Sequence, residues 1–240
     1  MIDYTLLVPS SPNKTPLLNN LIRSYEKYKN DFTPQPMIFG SETRTSCYQS
    51  KMLNMREVLK TLSSEYVVVI DGFDLIFNKE LDESLFDDFK DNSELEFMFG
   101  AEMNCFPYPQ YSSLFEDNAR TKIQYLNGGV IIAKRDNYLQ ELELRLDPQK
   151  YDQQEYMLKS DQVPYTLMYK ESLERGDGKV KIDCEARISL QMFQLEKDKD
   201  YILNEDKQVT YSETGNIPFF AHFNGDGKDQ MHHFGIEYGN

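Results

Sequence analysis

The sequence predicts an α/β fold with a mostly parallel central sheet flanked by helices, and two observations carry that prediction. Tyr66 to Ile70 is an apolar run without alternation, the pattern of a strand covered on both faces. Ahead of it, two strand-like segments alternate with two amphipathic helical patterns, the order from which parallel sheets are built.

The elements follow in order. Tyr4 to Val8 is a β-rich apolar run closed by Pro9-Ser10-Ser11-Pro12-Asn13. From Pro16, apolar residues at Leu17, Leu18, Leu21, Ile22, Tyr25 and Tyr28 recur at threes and fours, which predicts a helix with proline at its start. Met37 to Phe39 reads as a second strand ended by Gly40. From Ser46, Met52, Met55, Leu59 and Leu62 share a helical face with Val58 beside them, and the pattern stops near Ser63-Ser64.

After the buried run come a short acidic helix at Leu81 to Lys90, a strand at Leu95 to Ala101, and a strand at Tyr125 to Ala133 interrupted by Asn127-Gly128-Gly129. Helices are expected at Tyr138 to Leu146 and Val163 to Lys170, with short strands at Val180 to Ile182 and Pro218 to His222. The polar loops Arg175 to Gly178 and Lys197 to Asp200 do not separate two self-sufficient hydrophobic halves, and no internal repeat is visible. At 240 residues and 40% hydrophobic content, the expectation is one domain over residues 1–240.

Acidic residues outnumber basic ones by 40 to 26, a formal charge of -14, so the average field repels nucleic acid and anionic membranes. A local basic cleft or a bound divalent ion can still hold an anionic substrate. Cys47, Cys105 and Cys184 show neither zinc-site spacing nor a disulfide framework. With no leader-like start and no run of membrane-spanning length, a cytoplasmic protein without a membrane partner is expected.

The principal motif is Asp71-Gly72-Phe73-Asp74, directly after the buried strand, where open α/β sheets build their ligand sites. Gly72 lets the chain turn so that both carboxylates converge, and two carboxylate ligands suit a hard divalent cation. The plainer alternative is acidic residues that merely end a strand. A second segment, Ala221-His222-Phe223-Asn224-Gly225-Asp226-Gly227-Lys228, follows a short strand. His222 offers an imidazole ligand, Lys228 a cation for phosphate, and Gly225 and Gly227 permit close backbone approach; a glycine-rich turn with a satisfied histidine is the alternative. His plus two Asp favours Mn²⁺, with Mg²⁺ as the other candidate. His232 and His233 read as surface residues.

Glu102, Asn127 and the Asp161-Gln162 pair are further polar groups at strand ends or a helix start, and each alone could be a solvated end, a turn or an N-cap. No P-loop, nucleophile elbow or His-Glu-x-x-His helix is present.

Taken in order, these segments resemble the glycosyltransferase domain of the procollagen lysyl hydroxylases and related collagen-type galactosyl- and glucosyltransferases. The family's Asp-Ser-Tyr-Asp is matched by Asp71-Gly72-Phe73-Asp74, its Ala-Glu strand end and Cys-Trp-Pro turn by Ala101-Glu102 and Cys105-Phe106-Pro107. Its Leu-Asn-Ser-Gly-Gly is matched by Leu126-Asn127-Gly128-Gly129, its Asp-Asp-Gln by Ser160-Asp161-Gln162, and its His-Gly-Asn-Gly and following Lys by His222 to Gly225 and Lys228.

The resemblance implies a GT-A (Rossmann-like) fold, a UDP-sugar donor and Mn²⁺ held by Asp71, Asp74 and His222. It implies that Gln49 and Lys51 approach the nucleotide, that Asp161, Gln162 and Asn127 line the sugar and acceptor side, and that Phe73, Gly128, Asn224 and Gly225 stand at substrate-contacting positions of the matched motifs. Phe73 and Phe106 replace a tyrosine and a tryptophan, and the acidic run before Gln162 is reduced to Asp161. Asp161 and Glu102 are the candidate catalytic carboxylates, as general base in inversion or as stabiliser of an oxocarbenium-like centre in retention. The expected reaction is transfer of a sugar to a hydroxyl-bearing acceptor, whether protein, glycan or modified nucleobase. The rival readings are a metal-dependent phosphohydrolase and a catalytically decayed nucleotide-sugar-binding protein.

Overall fold

A computed structural model describes residues 2–10, 15–40, 47–118, 120–147 and 160–236. Its central sheet has six strands in the order β2-β1-β3-β6-β5-β7, formed by β1 (Tyr4–Pro9), β2 (Met37–Phe39), β3 (Tyr66–Ile70), β5 (Phe97–Glu102), β6 (Tyr125–Lys134) and β7 (Val180–Ile182). β1 pairs in parallel with β2 and β3, and β5 in parallel with β7. β6 runs antiparallel to both β3 and β5, so five strands share one direction and β6 opposes them.

The absence of alternation in β3 is explained by its two neighbours in depth. Val67 and Val69 face one core with Met52, Met55 and Leu59 of α2 (Cys47–Leu59), Tyr138 and Leu142 of α4 (Arg135–Arg145), and Tyr165 and Met168 of α5 (Gln162–Arg175). Val68 and Ile70 face the other, against Leu21 and Tyr25 of α1 (Thr15–Tyr28) and Phe89 of the one-turn α3 (Asp87–Asp91). Neither face of the strand meets water, so both parities must be apolar.

The sequence expectation for a helix at Leu81 to Lys90 is met only in part. Asp82 accepts the Ser84 N–H at 2.8 Å and starts a 3-10 turn at Glu83–Phe86, and α3 begins only after Phe86 leaves helical geometry at φ -113. The Asn127-Gly128-Gly129 interruption is real. Pairing of β5 with β6 jumps from Phe99↔Ile131 to Gly100↔Asn127, so Gly128, Gly129 and Val130 bulge out of the ladder at the site end of the sheet.

A second sheet, β4-β11-β8, was not visible in the sequence beyond its middle strand. β4 (Leu75–Phe77), β8 (Ser189–Gln191) and β11 (Phe220–His222) are three residues each, too short for any periodicity to register. β11 pairs antiparallel with β4 and parallel with β8. Asp183, fully enclosed, launches β8 by accepting the N–H groups of Arg187, Ile188 and Ser189 at 3.0, 2.7 and 3.0 Å. A hairpin of β9 (Tyr201–Leu203) and β10 (Val209–Tyr211) is tied to the end of β4 by the buried Asn78 amide, which donates to Val209 O and Pro218 O and accepts from Val209 N. Among the described residues, no helix is long and apolar enough to cross a membrane.

Candidate metal and donor site

Asp71 leaves the end of β3 with its N–H bonded to Gly129 O at 2.9 Å, and Asp74 enters β4. β11 lies beside β4 with His222 opposite Leu75, and Phe223 N–H donates to Asp74 O at 2.6 Å. The small sheet thus carries a residue from far along the chain to the acidic motif. One ligand atom from each of Asp71, Asp74 and His222 lies within 4.8 Å of the others. His222 Nε2 stands 3.6 Å from Asp71 Oδ2 and 3.4 Å from Asp74 Oδ1.

The remaining oxygens face elsewhere. Lys51 Nζ, from α2, bridges Asp71 Oδ1 and Asp161 Oδ2, each at 2.7 Å, and Lys228 Nζ sits 2.8 Å from Asp74 Oδ2. Asp71 and Asp74 each therefore give one oxygen to a lysine and keep the other on the His222 side. Two carboxylate oxygens and an imidazole nitrogen converging in this way fit a divalent cation with a borderline preference.

The charges tune one another. Burial works to raise Asp74, but the hydrogen bond and charge of His222, with Lys228, hold it well below the usual carboxylate range. Asp71 is raised, burial outweighing the attraction of Lys51 and His222. Burial would lower His222, yet Asp74 and then Asp71 raise it. Lys51 is buried, which disfavours its charge, but Asp161 and Asp71 raise it further and keep it an ammonium.

Glu102, at the end of β5, organises a second group. Its Oε1 accepts from Asn127 Nδ2 at 3.1 Å and Gln162 Nε2 at 2.8 Å, and its Oε2 from Asn224 Nδ2 at 2.8 Å. Burial pushes its carboxyl above the usual carboxylate range, against those three amide donors. Gln162 reaches on to Phe106 O at 2.8 Å and accepts the Gly128 N–H at 3.1 Å. Phe106 is 52% exposed at the rim. Asp161 precedes α5 without making a side-chain cap bond, because its carboxylate is turned to Lys51 instead. The plain N-cap alternative is thereby removed.

The glycines act through space more than through backbone freedom. Gly72 has no left-handed φ, contrary to the turn argument from sequence; a Cβ there would lie 3.0 Å from Pro9 O and Val8 Cγ1, so the motif is pressed onto β1. Gly129 leaves room for the imidazole, since a Cβ would lie 2.0 Å from His222 Cε1. Gly225 does adopt φ +53 where the 3-10 segment Gly225–Phe234 begins, and that segment carries Lys228.

Lys51, Asp71, Asp74, Asp161, His222 and Lys228 are joined in one group by the contacts above, and Glu102, Asn127, Gly128, Gln162 and Asn224 in a second, with Asp161 and Gln162 adjacent in the chain. Phe73 is half-buried between the two aspartates in sequence, and the side chain of Gln49 lies outside the described residues. His232 is exposed, as expected, whereas His233 is half-buried. Sequence reasoning missed Gln191, fully buried directly opposite His222 in the β8–β11 register; only a three-residue strand signals it.

Comparison with known proteins agrees with the geometry. The chain is 26% identical over 190 residues to the multifunctional procollagen lysine hydroxylase and glycosyltransferase of Caenorhabditis elegans, covering 77% of this chain and 24% of that protein. The chain thus spans about a quarter of that relative's length. Its fold matches the crystal structure of a glycosyltransferase involved in the glycosylation of the major capsid of PBCV-1, at a TM-score of 0.61 and 13% identity, over 98% of this chain and 100% of the other. The family model described as the PLOD GT domain matches residues 15–238, nearly the whole chain, and the protein accordingly belongs to the PLOD GT family of glycosyltransferase domains.

Proposed function

We propose that this glycosyltransferase domain moves a sugar from a UDP-sugar to a hydroxyl-bearing acceptor, with Mn²⁺ held by Asp71, Asp74 and His222. The observation that carries the reading is the convergence of those three donors within 4.8 Å at the carboxyl end of β3. A bound divalent ion supplies positive charge where the diphosphate leaving group develops its negative charge.

The chain's own groups do the rest. Lys228, 2.8 Å from Asp74, stands where a phosphate oxygen of the donor can share its ammonium. Lys51 fixes the spacing between Asp71 and Asp161 and offsets part of their combined negative charge. Asp161 keeps Oδ1 free of lysine and is the carboxylate nearest in role to the reacting centre, able to take the acceptor proton or to face positive character at the anomeric carbon. Glu102 has both oxygens committed to amides, so its part is to hold Asn127, Gln162 and Asn224 in place around the sugar.

The test is a panel of UDP-sugars with and without Mn²⁺, scored for UDP release. Metal-dependent UDP formation without inorganic phosphate supports the reading. Release of inorganic phosphate from UDP would instead make the site that of a phosphohydrolase, and UDP binding without turnover on any donor would make it a binding protein.

A further inference from the structure

Two buried polar atoms beside the metal site lack partners. His222 Nδ1 has none, although the ring is only 3% exposed, and Gln191 Oε1 has none, although its side chain is fully enclosed. The parallel register of β8 and β11 sets Gln191 directly opposite His222, and register partners on neighbouring strands project from the same face of a sheet. The central sheet receives both side chains with glycines. A Cβ at Gly129 would lie 2.5 Å from His222 Nδ1, and one at Gly100 would lie 2.2 Å from Gln191 Nε2. The other end of the Gln191 amide is already anchored, its Nε2 donating to Ser189 Oγ at 3.0 Å.

The two atoms without partners are complementary. With Nε2 turned to Asp71 and Asp74 as a ligand, a neutral imidazole carries its proton on Nδ1, an N–H that needs an acceptor. The free atom of Gln191 is a carbonyl oxygen, an acceptor that needs a donor. Metal-ligating histidines are ordinarily oriented in this way, by an oxygen that takes the proton of the other ring nitrogen.

We propose that Gln191 is the positioning residue of the metal centre: its side-chain carbonyl takes the Nδ1–H of His222, directly or through one enclosed water, and keeps Nε2 aimed between Asp71 and Asp74. The inference rests on the metal reading above and extends it to a residue outside the motifs of the sequence. It also gives Gly100 and Ser189 a purpose, since one admits the amide and the other sets which way it faces.

The experiment measures Mn²⁺ affinity of the whole chain by electron paramagnetic resonance, without donor or acceptor, for the parent, Gln191→Leu and Gln191→Glu. Gln191→Leu removes the acceptor at similar volume and is expected to weaken Mn²⁺ binding by about 10–100-fold. Gln191→Glu keeps an acceptor and is expected to bind within about threefold of the parent or more tightly, by the same reasoning. A merely structural role would not move a second readout, the downfield, slowly exchanging Nδ1–H proton of His222 in the Zn²⁺-loaded chain. That proton is expected in the parent and in Gln191→Glu, and is expected to be lost in Gln191→Leu. With three histidines in the chain the signal is assignable. Equal Mn²⁺ affinity of the parent and Gln191→Leu, with the Nδ1–H signal unchanged, overturns the role of Gln191 alone. A parent that binds neither ion overturns the metal reading, and this one with it.

Discussion

Replacing Gly129 with alanine tests the site through a single methyl group. The added Cβ would lie 2.0 Å from His222 Cε1, 2.5 Å from Nδ1 and 2.8 Å from Nε2. Carbon atoms in contact sit ~3.5 Å apart, so the ring has to retreat by about 1.5 Å. Its backbone cannot follow, because β11 is paired on both sides, with β4 and with β8. Metal sites tolerate ligand displacements of only ~0.2 Å, which takes Nε2 out of coordination. The expected loss of Mn²⁺ affinity is at least ~10–100-fold, or about 1.4–2.7 kcal/mol. The accompanying cost to folding is that of an overpacked core, ~1–3 kcal/mol, lowering the melting temperature by about 2–4 °C per kcal/mol. Gly128→Ala is the control, because its Cβ meets Tyr165 at 3.0 Å and no atom of His222. Isothermal titration with Mn²⁺ and thermal melting read both effects. If Gly129→Ala bound Mn²⁺ within threefold of the parent, His222 would not be a ligand in the position described.

Three further outcomes are expected. Because His222 is raised above its ordinary value by Asp74 and Asp71, and an imidazolium has no lone pair on Nε2, Mn²⁺ affinity should fall as pH drops through that raised value; titrations across pH 5.5–8.5 with roughly tenfold loss per unit at the acid end would show it, and a flat profile would remove His222 from the ligand set. Lys51→Met leaves Asp71 and Asp161 without their shared cation; with their side chains 29% and 15% exposed, the cost should be about 2–3 kcal/mol, and Mn²⁺ should raise the melting temperature of this variant more than that of the parent. Asp183→Asn offers one oxygen and an unwanted amide donor to three backbone N–H groups, so denaturant titration should report a loss of ~1–3 kcal/mol, with the β8 strand as the affected region in hydrogen exchange.

What the sequence revealed and what it hid divide along a physical line. β3 was legible because burial on both faces forces an unbroken apolar run, and α1 and α2 because one buried stripe per helix leaves a 3.6-residue period. Asp71 and Asp74 were legible because their place at the end of such a strand is where α/β sheets put ligands. Beyond the strand expected at Pro218 to His222, the β4-β11-β8 sheet carries no such signal. Three residues cannot display a period, and its side chains are all buried, the apolar ones divided between the two core clusters, so no solvent boundary marks them. His222 could be offered from its own segment as an imidazole ligand, with a satisfied histidine in a glycine-rich turn as the alternative. What makes it a neighbour of Asp74 is a strand pairing that no local pattern announces.

That division bears on how the site can vary. The acidic motif is fixed to the rigid central sheet through Asp71 N–H and Gly129 O, while His222, Asn224 and Lys228 arrive on the small sheet and the 3-10 segment after it. The two layers meet at glycines 100 and 129, where a single methyl group has no room. Substitutions are therefore more readily accommodated at the half-exposed Phe106 and Phe73 than at the junction of the sheets. Gln162 links Phe106 to Glu102 through the Phe106 backbone carbonyl, so the ring takes no part in that link. The three candidate ligands Asp71, Asp74 and His222 stand beside that junction, where packing constrains them, whereas the exposed ring of Phe106 is constrained little by packing.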